Sequence, residues 1–256
     1  MTVAPPTQRE PIFNIPVVVV GILALLALVH GVRVLFLSER DDLDLLLLFA
    51  FIPARYDPSL VLGGSVPGGL GAQIWTFVTY AFLHADGMHL GVNALWLLAF
   101  GSAVARRFGA LRFLSFFVVT AAAGALVHLA AHRGELAPMI GASASISGAM
   151  AAAMRFAFQR GGPLGFWRGG DESAYRVPAL PLTGVLSDPR VFAFLIVWFG
   201  VNLLFGVGSL PIVGEGQSVA WEAHIGGFLA GLLLFSLFDP KVPPDYPAFY
   251  AGHDAA

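Results

Sequence analysis

Long apolar stretches follow one another along this 256-residue chain, and the polar residues are concentrated in the segments between them. A helix that crosses the hydrocarbon core of a membrane needs about 20 mainly apolar residues. On that length scale the pattern predicts six membrane-spanning helices. They cover residues 16–37, 88–105, 111–132, 141–159, 191–208 and 219–238.

A further apolar run, residues 43–54, is only about half as long as a spanning helix. We predict an interfacial or re-entrant element there. Residues 1–15 form a cytoplasmic leader, residues 16–238 one membrane domain, and residues 239–256 a cytoplasmic tail. The apolar run after the leader is too long for a signal-peptide core, so we expect a retained anchor. The predicted fold class is an all-α polytopic membrane protein.

Composition supports a membrane protein. Hydrophobic residues make up 57% of the chain and charged residues 12%, against about 45–50% and 25% in soluble domains. The absence of cysteine excludes disulfides, thiolate nucleophiles and cysteine metal sites. A net charge of −2 gives no basic footprint for nucleic acid. A soluble enzyme and a nucleic-acid-binding protein are therefore both set aside.

The distribution of basic residues predicts the orientation. Six spans place both termini on one side of the membrane, together with ten of the 14 basic residues. These ten are Arg9, Arg106, Arg107, Arg112, Arg155, Arg160, Arg168, Arg176, Arg190 and Lys241, and the four on the other side are Arg33, Arg40, Arg55 and Arg133. Because basic residues favour the cytoplasmic side, we expect cytoplasmic termini, with segments 38–87 and 206–218 facing outward.

Polar side chains within membrane spans are costly and are therefore candidates for function. Four of them are Ser143 on the fourth span, His224 on the sixth, and His89 and Asn93 on the second. A helix rises 1.5 Å per residue, so their depths follow from the distance to the basic residue that closes each span. All four lie about 18–25 Å above that border. Three helices are therefore predicted to contribute to one site.

Small residues recur at four-residue spacing on the fourth and sixth spans. The stripes are Ala144, Gly148 and Ala152 on the fourth span, and Gly227 and Gly231 on the sixth. Such stripes allow membrane helices to approach closely, and we expect Gly141 and Gly226 to add to this packing near the site. Close packing of these two spans would bring Ser143 within reach of His224.

A serine hydroxyl becomes an effective nucleophile when a base accepts its proton, and imidazole is the usual base. Ser143 and His224 supply this pair. Ser143 is expected to begin its helix, where free N–H groups favour an anion. Donors from Asn93 and His89 would complete an oxyanion hole. Glu222 lies about 200° around the helix from His224, so we do not include it.

Other polar residues are given structural roles. Ser145 and Ser147 are predicted to bond to backbone carbonyls or to pack as small residues. His128 and His132, at the outer end of the third span, are assigned no carboxylate partner and are predicted to be interfacial. No metal ion and no organic cofactor is implied.

Several short motifs occur in order along the chain. They are Pro53-Ala-Arg55, the pattern His84, His89 and Asn93, Phe100-Gly101, Gly109 with Arg112-Phe113, Gly141-Ala-Ser143 with Gly148, and Ala223-His224-Ile-Gly226-Gly227. In this combination the chain resembles the rhomboid family of intramembrane serine proteases, from about Phe51 to Phe238.

The resemblance implies a six-span core in which Ser143 is the nucleophile and His224 the general base. His89 and Asn93 would assist the oxyanion. The loop 206–218 would cover the site and move to admit substrate.

The chain departs from the family pattern at three positions. Thr76 follows Trp75 where the family often has arginine, Ala105 occupies the place of a common glutamate, and Ala144 that of a common glycine. None of these changes removes a catalytic group, so they bear on local packing and on substrate preference.

The sequence thus predicts an intramembrane serine endopeptidase that cleaves peptide bonds in or near the transmembrane segments of membrane proteins, using no cofactor. One alternative is a rhomboid-like pseudoprotease that binds membrane clients without cleavage, although that class typically lacks the serine or the histidine. Another is a small transporter or channel, but the sequence offers no paired inverted repeats and no carboxylate cluster for ions. The expected location is a bacterial cytoplasmic membrane.

Overall fold

The computed structural model describes residues 15–57, 59, 66–159, 161–163, 172–207 and 220–240. Within these ranges the chain forms helices and no β-strand, with one isolated antiparallel bridge between Phe51 and Met139. Residues 1–14 of the predicted leader, most of the predicted tail and most of the loop 206–218 lie outside the described residues.

Nine α-helices occur in the described ranges, and α4 contains a π-helical turn at Leu97–Gly101. Short 3-10 turns occupy Pro53–Tyr56, Tyr80–Phe82 and Glu172–Arg176. The helices are α1 Val17–Phe36, α2 Glu39–Phe49, α3 Gly69–Thr79, α4 Gly87–Phe108, α5 Ala110–Ala131, α6 Ser143–Met154, α7 Leu182–Ser187, α8 Pro189–Val207 and α9 Trp221–Phe238.

Each of the six predicted spans coincides with a helix: α1, α4, α5, α6, α8 and α9. Four of them, α1, α4, α5 and α9, are long and apolar enough to cross a membrane, and α6 and α8 contain shorter apolar helices. The prediction of a helical membrane bundle is confirmed. α6 ends at Met154 rather than at residue 159 because the backbone tightens there, with the Arg155 N–H donating to the Ala152 carbonyl at 3.1 Å.

The most enclosed helix is α6, in which every residue from Ala144 to Met154 is buried. It packs against α5 and α9, which also pack against each other. A Cβ atom added to Gly227 would collide with the Ala144 carbonyl oxygen, and one added to Gly231 would collide with the Gly148 backbone. The small residues therefore lie where α6 and α9 meet backbone to backbone.

The segment before α4 folds onto the bundle through side chains that bond to backbone carbonyls. Arg55 is 2% exposed and donates to the carbonyls of Leu47 and Pro67. The Trp75 indole N–H donates to the Leu48 carbonyl at 2.9 Å. These bonds join the end of α2 to α3, in the region where a short interfacial element was predicted.

The three departures from the family pattern have local partners. Thr76 Oγ1 donates to the Ala72 carbonyl at 2.6 Å and lies 3.1 Å from the Tyr56 hydroxyl, so it bonds both to its own helix and to the turn at Pro53–Tyr56. Ala105 is buried in the core. The Ala144 methyl group faces Gly124, where an added Cβ would lie only 2.6 Å away. Alanine at position 144 is therefore accommodated by glycine on α5.

The ends of the bundle differ in chemistry. We call the end where α5 finishes and α6 and α9 begin the site end. At the opposite end, Arg107 donates to Asp239 Oδ1 at 2.6 Å and to the carbonyls of Tyr175 and Val177 at 3.0 and 2.7 Å. Its guanidinium also lies over the Phe156 ring, 4.7 Å from the centroid. One buried arginine thus connects four segments of the chain.

Candidate active site

Ser143 is the first residue of α6, and His224 lies in the first turn of α9. Ser143 Oγ and His224 Nε2 are 2.7 Å apart, which is a hydrogen bond. Both residues are partly exposed, whereas the rest of α6 is buried. The pair therefore lies at the open edge of the tight α6–α9 contact, where a substrate carbonyl can approach the hydroxyl.

The second imidazole nitrogen of His224 contacts Asn202 on α8: Nδ1 is hydrogen bonded to Asn202 Oδ1. The amide nitrogen of Asn202 donates to the Trp198 carbonyl at 2.8 Å, which turns its oxygen toward the histidine. A carbonyl oxygen only accepts, so Nδ1 carries the hydrogen and Nε2 is left as the acceptor. This tautomer is the one that can take a proton from Ser143.

Asn202 was missed by the sequence analysis. It lies 12 residues from Arg190, or about 18 Å along the helix, which is the depth already assigned to Ser143. The depth count that located the other polar residues would have found it on the fifth span.

His89 and Asn93 lie on α4, which packs against α6. A Cβ atom added to Gly141 would lie 2.7 Å from His89 Nε2 and 3.8 Å from Ser143 Oγ. Gly141 has φ +120°, a conformation that favours glycine, so this space stays free of a side chain. Asn93 is buried, and its amide donates to the His89 carbonyl at 2.9 Å. The structure thus brings the His89 imidazole next to Ser143, whereas the Asn93 amide bonds within its own helix.

The orientation of His89 is fixed by the residues before it. Asp86 caps α4 by accepting the His89 N–H at 2.7 Å. The His84 ring packs at 5.0 Å from the His89 ring, and the His84 carbonyl accepts from Arg33 at 2.8 Å. Burial, followed by the effect of His89, lowers the pKa of His84 to about 3. His84 is therefore a neutral packing partner at physiological pH.

Two further glycines of the predicted site lie against α5. A Cβ atom added to Gly148 would lie 2.6 Å from Thr120 Cγ2, and one added to Gly226 would lie 2.7 Å from the Ala123 carbonyl oxygen. Together with Gly227 they leave room for α5, α6 and α9 to meet directly behind the Ser143–His224 pair.

The other serines of α6 face backbone carbonyls. Ser145 Oγ donates to the Phe117 carbonyl at 2.8 Å, and Ser147 Oγ donates to the Ser143 carbonyl at 2.7 Å. Ser143 is therefore the serine of α6 whose hydroxyl is paired with a base.

The expectation that His128 and His132 lack a carboxylate partner is wrong for His132. His132 Nδ1 lies 3.0 Å from Glu135 Oε2, and its Nε2 lies 3.2 Å from Glu222 Oε1. Partial burial acts to lower the pKa of His132, but the hydrogen bond to Glu135 and the nearby carboxylate of Glu222 outweigh it and raise that pKa above its ordinary value. The sequence alone did not show that the start of α9 lies beside the end of α5.

A cavity of about 200 Å³ lies between α8 and α9. It is lined mainly by apolar side chains and includes Asn202, the partner of His224. Its other lining residues are Phe199, Gly200, Leu203, Trp221 and Ile225. The cavity is therefore adjacent to His224 through Asn202.

Comparison with known proteins places the chain in a family. A sequence model described as Rhomboid domain matches residues 71–240. RHOMBOID-like protein 5 of Arabidopsis thaliana is 24% identical, over 94% of this chain and 79% of its own length. Rhomboid-like protease 3 of Toxoplasma gondii is 25% identical, over 76% of this chain and 65% of its own length.

Rhomboid protease GlpG of Enterobacter sp. (strain 638) is 24% identical, over 74% of this chain and 58% of its own length. The relatives thus include proteins named as proteases, at low identity. Since the family match covers more than half of the chain and the apolar helices are those of an integral membrane protein, this protein belongs to the rhomboid family.

Proposed function

We propose that this protein is an intramembrane serine endopeptidase that cleaves peptide bonds in or near the transmembrane segments of other membrane proteins. The observation that carries this proposal is the 2.7 Å hydrogen bond between Ser143 Oγ and His224 Nε2. Relatives named rhomboid proteases support the same reaction class.

In the proposed reaction, Ser143 Oγ attacks the substrate carbonyl carbon while His224 Nε2 takes the hydroxyl proton. The tetrahedral intermediate collapses with cleavage of the C–N bond, and His224 gives its proton to the leaving amine. Water then attacks the acyl-enzyme, His224 takes a proton from that water, and Ser143 recovers it. Asn202 Oδ1 accepts the Nδ1 hydrogen both before His224 takes the proton and while it carries it, and so keeps the ring in one orientation.

The negative charge on the carbonyl oxygen is proposed to be stabilised at the start of α6. The first N–H groups of a helix have no partner within that helix, and the Ser143 N–H is one of them. The His89 imidazole borders the same space beside Gly141. Asn93 is proposed to assist by turning its amide from the His89 carbonyl toward the oxyanion, or by holding His89 in place.

The proposed substrates are transmembrane proteins with small or helix-weakening residues near the scissile bond. The backbone of a regular helix is shielded by its own hydrogen bonds, so the cleaved segment must unwind to reach Ser143. The cavity between α8 and α9 is proposed to hold apolar residues next to that bond. The proposed setting is a bacterial cytoplasmic membrane, with cytoplasmic termini.

The test is cleavage of a transmembrane reporter by purified protein in lipid vesicles. Wild type is compared with Ser143→Ala, His224→Ala and the control Ser115→Ala, whose hydroxyl is exposed on α5 and bonds to the Leu111 carbonyl. We expect cleavage by wild type and the control, and a loss of at least about 10³-fold in each dyad variant.

Equal cleavage by wild type and both dyad variants would show that another group performs the reaction. A folded wild-type protein that binds the reporter without cutting it would overturn the protease proposal in favour of a pseudoprotease.

A further inference from the structure

A second polar cluster lies at the site end, and the proposed reaction does not use it. It consists of His128 on the last turn of α5, His132 directly after α5, and Glu222 in the first turn of α9. One potential ligand atom from each of the three lies within 4.8 Å of the others. We call these three residues the His-His-Glu cluster.

The His-His-Glu cluster has the ligand types and spacing of a transition-metal site. His128 and His132 are four residues apart, so both project from the same side of the end of α5. His132 Nε2 and Glu222 Oε1 are 3.2 Å apart, close to the edge of about 3.3 Å in a tetrahedron with bonds of 2.0–2.1 Å. Two imidazoles and one carboxylate favour Zn²⁺ and related ions over Mg²⁺ or Ca²⁺, which prefer oxygen ligands.

Glu135 orients the cluster from outside. Its Oε2 lies 3.0 Å from His132 Nδ1, so that nitrogen donates its hydrogen to the carboxylate. The lone pair of His132 Nε2 is then available on the side that faces Glu222. A carboxylate that binds the far nitrogen of a histidine in this way is the usual outer partner of a metal-bound imidazole.

His128 is the residue that distinguishes a metal site from an ion pair between His132 and the two glutamates. If His132 were protonated, it could form ion pairs with both Glu135 and Glu222. That arrangement would not give His128 an interaction partner. His128 is 8% exposed, and its buried Nδ1 has no hydrogen-bond partner among the described residues. A buried imidazole nitrogen without a hydrogen-bond partner is costly. The same is true of His84, so what distinguishes His128 is that a ligand atom of His132 and one of Glu222 lie within 4.8 Å of one of its own. A metal ion would use His128 together with the other two residues.

We infer that the His-His-Glu cluster binds a divalent transition-metal ion of the Zn²⁺ type, which links the end of α5 to the start of α9. His132 and Glu222 have side chains that are 26% and 15% exposed, so the ion can enter from that edge. Glu222 lies two residues before His224 but about 200° around the helix. We therefore infer a structural ion rather than a catalytic one, at a place where the sequence implied no metal.

The test is direct binding of Zn²⁺ to the full-length protein in detergent after chelator treatment, measured by titration calorimetry. The variants are His132→Gln and Glu222→Gln, both at the exposed edge of the cluster. The control is Glu39→Gln, which removes an exposed carboxylate from α2. We expect one ion per chain, an affinity loss of at least about tenfold in each cluster variant and none in the control.

Thermal unfolding gives a second measurement that does not depend on proteolysis. Zn²⁺ should raise the unfolding temperature of wild type and of Glu39→Gln, and Mg²⁺ should not, because only the folded state presents the three ligands together. The cluster variants should gain no stability from Zn²⁺, measured for each variant as the difference between its own unfolding temperatures with and without the ion. Absence of Zn²⁺ binding to wild type, or equal affinity in the combined His132→Gln and Glu222→Gln variant, would overturn the inference.

Discussion

The imidazole of His224 is held from both sides, by Ser143 at Nε2 and by Asn202 at Nδ1. Each partner comes from a different helix, so the histidine keeps its position only while α6, α8 and α9 keep theirs. An uncharged amide in the third position suits a membrane interior, because it orients the ring without burying a negative charge.

Replacing Asn202 with alanine should slow the reaction more than it weakens substrate binding. We expect kcat to fall by about 10- to 1,000-fold, less than the roughly 10⁴-fold loss when the aspartate of a Ser-His-Asp triad is changed. KM should change by a smaller factor than kcat, because Asn202 acts on the reaction through His224 and contributes only one side chain to the cavity between α8 and α9. Asn202→Asp, which keeps an acceptor oxygen, should recover part of the rate.

These rates are to be measured on the transmembrane reporter, together with unfolding temperatures. A parallel loss of kcat and of folded protein would indicate that Asn202 only stabilises the bundle. An unchanged kcat in Asn202→Ala would show that His224 needs no orienting partner.

The sequence predicted some side-chain contacts and not others. Because Ser143 and His224 share one depth, the sequence predicted that they lie close together. In the structure Ser143 Oγ and His224 Nε2 are 2.7 Å apart. The contact between His132 and Glu222 was not predicted, because depth along a helix says nothing about which helix lies beside it. Such contacts depend on how each helix is rotated about its axis and on which helices are neighbours. A single sequence shows neither in its hydropathy pattern.

Among the helices, α6 depends most on close packing. Its contact with α9 leaves no room for a side chain at Gly227, where an added Cβ would meet the Ala144 backbone. Hydropathy and small-residue spacing were sufficient to predict both helices. They did not predict α3 or α7, because the short apolar stretch of α3 follows a glycine-rich region and α7 is a single turn and a half of helix within a loop.

Adding one methyl group at Gly227 should therefore destabilise the protein. We expect Gly227→Ala to lower the free energy of unfolding by about 1–3 kcal/mol, because the backbones of α6 and α9 must separate. The matched control is Gly200→Ala on α8, where an added Cβ meets nothing within 4 Å. That change should stay within about 0.5 kcal/mol of wild type.

Both variants can be compared by denaturant unfolding in mixed micelles. Equal stability of Gly227→Ala and Gly200→Ala would mean that α6 and α9 are less tightly packed than their glycines indicate.

The bundle as a whole is joined at its two ends by different interactions. At the site end, α5, α6 and α9 meet around the histidines. At the opposite end, Arg107 is enclosed by Asp239, two backbone carbonyls and aromatic rings. In the sequence Arg107 indicated only orientation, because a basic residue beside a span is usually solvated. The burial of Arg107 results from tertiary contacts, and the distribution of basic residues along the sequence does not predict those contacts.

Removing the Arg107 side chain should destabilise the whole molecule while leaving the chemistry of the folded fraction intact. We expect Arg107→Ala to cost about 3–5 kcal/mol, because Asp239 loses its buried cation. The control is Arg112→Ala, an exposed arginine near the start of α5, which should cost less than about 0.5 kcal/mol. Unfolding in detergent and kcat per folded molecule are the measurements. A loss of kcat without a loss of stability would contradict this role.

The enclosure of α6 has a consequence for the lipid environment. α6 contains 12 residues, a length of about 18 Å, whereas the hydrocarbon core is about 30 Å thick. Because its neighbours are protein on every side after Ser143, α6 experiences no hydrophobic mismatch with the bilayer. A thicker or thinner membrane would be met by tilting of lipid-facing helices such as α1. The depth of Ser143 is thus set by protein packing, and membrane thickness instead governs how an incoming helix is presented to it.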